Sequence, residues 1–187
     1  MRTLLFQNIL RRPLTEPKPE PDPELDDLAD RIRIAARGRL GRSLSIRHVD
    51  AGSCNACELE LHALSNPFYD IERFGIRFVA SPRHADVLTV TGPVTKNMRE
   101  ALERTYAAMP SPKWVVAIGG CALDGGLFAG SYAVAGGVSA VLPVDLHIPG
   151  CPPTPNALLK GLLNLLELSA SGHAGNRLAP GKGAPAA

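Results

Sequence analysis

The chain has 187 residues, 45% of them hydrophobic and 20% charged, globular proportions that exclude wholesale disorder and leave room for one domain with some appended chain. Twenty Lys+Arg against eighteen Asp+Glu give a formal charge of +2 with only 5% aromatics, and no basic stripe interleaved with aromatics, so nucleic acid is excluded as a partner. Four cysteines are too few for a small secreted disulfide scaffold.

Met1-Arg2 followed by Thr3–Leu10 has the faint outline of an export signal. The apolar stretch is short, it runs into Arg11-Arg12, and no small-residue cleavage site follows. Pro13-Leu14-Thr15-Glu16 after the arginine pair also excludes a twin-arginine signal. The expectation is an unexported protein in a reducing compartment, where cysteines serve more often as metal ligands than as disulfides. Leu4, Leu5, Phe6, Ile9 and Leu10 between basic ends suit a membrane surface or a partner groove. The alternating prolines from Pro13 to Pro23 describe an extended spacer.

Glu24–Arg37 is predicted as a helix, with Leu25, Leu28 and Ile32 on one face and acids preceding bases, as the helix dipole favours. A folded domain is expected from about Ser43. Leu44–Val49, Ile76–Ala80, Val87–Thr91, Trp114–Ile118 and Val144–Ile148 read as strands. Cys57–Leu64, Lys96–Met109 and Pro155–Leu168 read as helices. This alternation predicts an α/β fold with a mostly parallel sheet. Gly125 to Val144 runs twenty residues without a charge, the bare length of a membrane span. Its six interior glycines and prolines make it instead a buried, irregular loop, since each interior glycine costs a helix about 1 kcal/mol. The organisation expected is an N-terminal arm over 1–42, a domain over 43–168 and a disordered tail over 169–187.

Cys54 and Cys57 follow the first strand, Cys121 follows the strand ending at Ile118, and Cys151 follows the strand ending at Ile148. In an open parallel sheet the loops after the carboxyl ends of the strands share one edge, where ligands bind. Glycines beside each cysteine allow close backbone approach and suit a bulky anionic object. Spacing alone leaves several readings open. Four thiolates could hold a structural zinc, though only one CxxC knuckle is present. A thioredoxin-like dithiol would leave Cys121 and Cys151 unexplained, and four inert thiols are a third reading. Cys151-Pro152-Pro153 favours an iron–sulfur cluster, because proline commonly follows cluster cysteines.

Several further motifs stand in one order: Gly-Ser-Cys-Asn-Ala-Cys-Glu-Leu-Glu at 52–60, Tyr-Asp with Arg-Phe-Gly within 69–75, Ala-Ser-Pro-Arg-His-Ala-Asp at 80–86, Thr-Gly-Pro-Val-Thr at 91–95, Gly-Gly-Cys-Ala at 119–122 and Ile-Pro-Gly-Cys-Pro-Pro at 148–153. Together they resemble the family that joins the small iron–sulfur subunit of respiratory NADH-quinone oxidoreductases to the small subunits of membrane-bound [NiFe] hydrogenases of the formate hydrogenlyase type. The resemblance covers about residues 44–168. It implies a flavodoxin-like open sheet with helices on both faces and one [4Fe-4S] cluster held by Cys54, Cys57, Cys121 and Cys151. It also implies that the chain relays electrons between a ferredoxin-like subunit and the [NiFe] centre of a large subunit, with no catalytic residue of its own. Membrane-embedded subunits would complete the complex, and the chain would lie peripherally on the cytoplasmic face of the inner membrane. Glu60 matches a family glutamate beside the cluster and is a candidate for proton coupling. Arg83 and His84 fall in a loop that faces the partner in relatives.

Within that family, Cys54-Asn55-Ala56-Cys57 resembles the hydrogenase arrangement, whereas the quinone-reducing branch carries two adjacent cysteines. Val79 stands where that branch tends to place an arginine. The corresponding subunit of an NADH-quinone oxidoreductase is the nearer alternative, and a zinc-stabilised interaction scaffold the alternative of another class.

Overall fold

The computed structural model describes residues 22–170. The amphipathic segment at 1–12, most of the proline spacer and the tail beyond residue 170 lie outside the described residues. Helix α1 (Pro23–Leu40) begins with Asp22, whose carboxylate accepts the Glu24 N–H at 3.0 Å, and with a proline in its first turn. It ends at Gly41, in the left-handed region at φ +64°, whose N–H reaches the Arg37 carbonyl. The helix is longer than the expected 24–37, because a capping aspartate precedes it and the left-handed glycine lies beyond Leu40.

The main sheet contains β1 (Leu44–Asp50), β2 (Ile76–Phe78), β3 (Val87–Thr91), β5 (Trp114–Ile118) and β7 (Leu146–Ile148), with β4 (Val94–Thr95) and β6 (Val134–Gly136) forming a separate antiparallel pair. The five main strands run in the order β2-β1-β3-β5-β7, and every adjacent pair is parallel. That order is the flavodoxin-like one, whose reversal point lies between the first strand and its later neighbour. The remaining helices are α2 (Ala56–Ala63), α3 (Lys96–Ala108), α4 (Gly120–Asp124) and α5 (Pro155–Ala170).

Side chains alternate across each strand, so successive residues feed two cores. On one face Ile46, Val87, Val116 and Ile148 pack with α1, α2 and α5 through Leu28, Ile32, Leu61, Leu159 and Leu166. On the other, Leu88, Val90, Val115 and Ala117 pack with α3 and α4 through Leu102 and Ala122. Helices therefore cover both faces. Helix α1 shares the first core with α5, and two exposed ion pairs, Lys160–Glu24 at 2.6 Å and Arg31–Glu167 at 2.9 Å, run between them.

One expectation is corrected here. Residues 125–144 do not form a uniformly buried loop: Leu127 is 93% and Tyr132 is 90% exposed. Only the second half turns inward, where Val138 and Leu142 join the core. Low charge reads as burial only when the surface must meet water, and this loop presents its apolar side chains outward. Among the described residues, no helix is long and apolar enough to cross a membrane.

Candidate metal centre at the carboxyl edge of the sheet

The chain leaves β1 through a tight turn in which Asp50 Oδ1 accepts the Gly52 and Ser53 N–H groups at 2.8 and 2.7 Å. Ser53 lies against Gly92, at φ +72°, where a Cβ would stand 2.5 Å from Ser53 N. Asn55, at φ +71°, starts α2 and places Cys57 in its first turn. Cys121 sits at the start of α4, directly after β5, and Cys151 follows β7 and Gly150. The Gly119 and Gly120 N–H groups donate to the Ile148 and Gly150 carbonyls at 2.9 Å, so the loops after β5 and β7 run together. Gly119 holds φ +86°, and a Cβ there would stand 2.8 Å from Cys57 Sγ. The missing side chain is what lets the thiol of α2 lie against the β5 loop.

All four cysteines are free thiols, with Cys54 and Cys151 exposed and Cys57 and Cys121 half-buried. Burial pushes the Cys57 thiol up to about 11, and the Glu58 carboxylate and the thiols of Cys54, Cys151 and Cys121 push in the same direction. Four soft donors on a glycine floor match a thiophilic, electropositive group, which would reverse that penalty on the thiolate form. Among the described residues, no three His, Cys, Asp or Glu side chains draw together as one metal ion demands. A tetrahedral ion would hold every sulfur at about 2.3 Å, whereas an iron–sulfur cluster takes one thiolate on each of its irons.

Beside Cys57 lies a carboxylate that sequence reasoning passed over. Glu58 is buried; Ser53 Oγ donates to its Oε2 at 2.6 Å, and Thr91 Oγ1 donates to its Oε1. His48 Nε2 stands 3.8 Å from the same Oε1, and the ring also meets Thr89 and Thr91 hydroxyls at 3.2 and 3.4 Å. Burial lowers the His48 pKa from its usual 6.5, against the opposing pull of Glu58 and Asp50. Glu60, the residue singled out in the sequence, is half-buried on the same helix. Two positions along a helix turn about 200°, so only one of the pair can face Thr91. The polar Thr89 and Thr91 within an apolar strand were the available signal.

Arg83 and His84 occupy an exposed 3-10 turn (Pro82–His84) leading into β3. They stand at the amino end of that strand, away from the cysteines at the carboxyl end. Asp86, just after them, is buried: its carboxylate takes the Arg42 guanidinium at 2.6 and 3.0 Å and the Ser45 N–H at 2.9 Å. Val79 lines a hollow of about 400 Å³ together with His48, His62 and Phe78.

Comparison with known proteins follows the cysteines. The family described as NADH ubiquinone oxidoreductase, 20 Kd subunit, matches residues 54–165. Formate hydrogenlyase subunit 7 of Escherichia coli K12 is 48% identical over 132 residues, covering 69% of this chain and 52% of that protein. The chain therefore spans about half the length of that relative. The probable membrane-bound hydrogenase subunit mbhJ of Pyrococcus furiosus is 47% identical over 128 residues, covering 68% of this chain and 77% of that one. Among solved structures, a chain of the membrane-bound sulfane sulfur reductase, an archaeal respiratory membrane complex, superposes with a TM-score of 0.64 at 35% identity, covering 75% of this chain and 76% of its own.

Proposed function

The chain belongs to the family of the NADH ubiquinone oxidoreductase 20 Kd subunit, and from that premise we propose that it is the electron-relay subunit of a membrane-bound, complex-I-related hydrogenase. The observation that supports this reading most is that all four cysteines follow strand ends at one edge of the sheet, where the Gly119 and Gly120 N–H groups tie the loop before Cys121 to the loop before Cys151 and Gly119 leaves room for the half-buried Cys57 thiol. These four residues would each supply a thiolate to a single [4Fe-4S] cluster. An iron–sulfur cluster bound there supplies one-electron transfer at a potential set by burial and by hydrogen bonds to its sulfurs.

This chain's own residues prepare the place. Gly119 lets Cys57 approach the β5 loop, and Ser53 and Thr91 hold the Glu58 carboxylate in one orientation. Cys57, half-buried, packs against the core on one face of the sheet. The half-exposed Leu123, on α4 with Cys121, and Leu127, Phe128 and Tyr132, on the segment that follows it, reach the surface. An apolar surface of this kind marks a contact site, and it suits the [NiFe]-type large subunit. A ferredoxin-like subunit and membrane-embedded subunits would complete the complex, held peripherally at the cytoplasmic face. No residue of this chain is assigned a catalytic role; Glu60 and the turn with Arg83 and His84 remain the candidates for proton coupling and partner contact.

The names of two relatives favour a hydrogenase, while the structural likeness to a sulfane sulfur reductase chain favours a second reading, the same relay in a sulfur-reducing complex. Anaerobic purification with the co-purifying large subunit tests both. Brown absorption and an EPR signal after dithionite reduction, with hydrogen-dependent dye reduction, are expected. A colourless, zinc-loaded protein overturns the relay, and sulfur reduction without hydrogen turnover selects the second reading.

A further inference from the structure

The arginine-rich carboxyl end of α1 takes no part in the cysteine edge. Its last turns, the turn after Gly41 and the segment before β2 enclose a hollow of about 260 Å³ lined by Arg33, Arg37, Arg42, Arg73 and a single carboxylate, Glu72. It opens at the amino end of β1 and β2, whereas the cysteines follow the carboxyl ends. The seven residues of β1 separate the two places by roughly 20 Å at about 3.3 Å per residue.

The four guanidinium groups are committed to different degrees. Arg42 is locked by both nitrogens onto buried Asp86 and serves as a fixed wall. Arg33 pairs with Asp30 at 2.7 Å and Arg73 with Asp26 at 3.4 Å, but these side chains are all roughly 40 to 60% exposed. Exposed pairs of this kind contribute little and exchange readily for a better anion. Arg37 has no ion pair among the described residues. The carboxyl end of α1 opposes an anion with about half a unit of negative charge, and the Gly41 N–H already answers the Arg37 carbonyl. Counted with Glu72, Asp26 and Asp30, these three guanidiniums show no surplus of charge, so what favours an anion is the Arg37 fork, which no carboxylate holds among the described residues, and the readiness of the two exposed pairs to open. Every cation lining the hollow is arginine, whose planar fork meets phosphate oxygens two at a time.

We propose that this hollow binds a phosphate group, either as a free phosphate or as the headgroup of an anionic lipid, with Arg37 and Arg73 as principal donors. The site does not depend on the redox reading, since it shares no residue with the cysteine edge.

The test uses the full chain. Calorimetric titration with inorganic phosphate at low salt, and flotation with phosphatidylglycerol against phosphatidylcholine vesicles, separate the two sources. Saturable phosphate binding identifies a free-phosphate site, and retention on phosphatidylglycerol vesicles alone identifies a headgroup site. In either case Arg37→Gln with Arg73→Gln should weaken binding at least about tenfold, the loss of two charge-assisted contacts. Arg37→Lys should recover part of it, and Asp30→Asn, which frees Arg33, should strengthen it. Circular dichroism and the dithionite-reduced EPR signal are expected to stay unchanged in all these variants. No binding in either assay, or equal binding by wild type and the double variant, overturns the proposal. Because Asp30→Asn predicts a gain, a folding defect in the double variant does not shield the idea: unchanged or weaker binding by Asp30→Asn also counts against it.

Discussion

Two buried carboxylates at opposite ends of the sheet, Asp86 and Glu58, are held in different ways. At the amino end Asp86 is stapled to the Ser45 N–H and to Arg42, and Asp145 accepts the Val115 N–H at 2.8 Å. These acids tie strand starts together and are answered by cations or backbone donors. At the carboxyl end Glu58 is buried beside a thiol and, among the described residues, is answered by two hydroxyls and a histidine. A structural acid is satisfied within the fold, whereas Glu58 raises the cost of a thiolate next to it. That cost is tolerable where a cationic group is to be bound, because the negative charge then assists it.

Breaking the comparison at its strongest point means removing a proposed ligand. Cys121→Ser or Cys151→Ser should lose most of the bound iron, since a hard hydroxyl replaces a soft thiolate. Iron analysis and EPR check this; full iron content in both variants would show the thiols to be bystanders. Removing a strand staple should leave the metal centre alone and cost stability instead. Asp86→Ala strands the Ser45 N–H and the Arg42 fork, a loss of about 2 kcal/mol and a fall in Tm of roughly 4–8 °C for a chain of this size. Thermal unfolding measures it, with iron content as the control that must not change.

Charge at the carboxyl end gives a smaller effect. Glu58→Gln deletes a negative charge adjacent to Cys57 and should raise the midpoint potential of the bound cluster, because the reduced form carries more negative charge. Glu60→Gln should shift it less, since that side chain is partly solvated. A redox titration in which Glu60→Gln gives the larger shift would reverse the roles assigned to the two glutamates.

The parallel sheet was legible because Val87–Thr91 and Trp114–Ile118 are uninterrupted apolar runs of strand length, and the structure keeps those boundaries. The cysteine edge was legible for the same reason: each thiol falls just past a strand end. What stayed hidden depended on facing. Choosing Glu60 over Glu58 required knowing which side of a two-turn helix meets β3, and no period over eight residues settles that. Arg83 and His84 could not be placed because the segment after β2 must return to the opposite edge before β3 begins. Gly125–Val144 misled because an uncharged, glycine-rich stretch reads as interior. Here it turns Leu127 and Tyr132 to the surface.

The smallest effect concerns His48, which links the sheet to Glu58. Burial lowers its pKa below the usual 6.5, with Arg47 acting in the same direction, while Glu58, Asp50 and the Thr89 contact pull it back. At neutral pH the ring is therefore uncharged in the folded chain. As pH falls through about 6.5 the unfolded chain takes up the proton first, so the unfolded state binds more protons and stability declines. The contribution is fully present above the unfolded pKa and is lost as pH drops toward the folded one. His48→Gln removes the titrating ring while an amide can still reach the Thr89 hydroxyl. Urea unfolding at pH 7 and pH 5 should show a smaller loss of stability for His48→Gln than for wild type. Iron content should be equal in the two at pH 7. Identical slopes in both proteins would mean that the carboxylates at the sheet edges, not the histidine, set the acid limit of the fold.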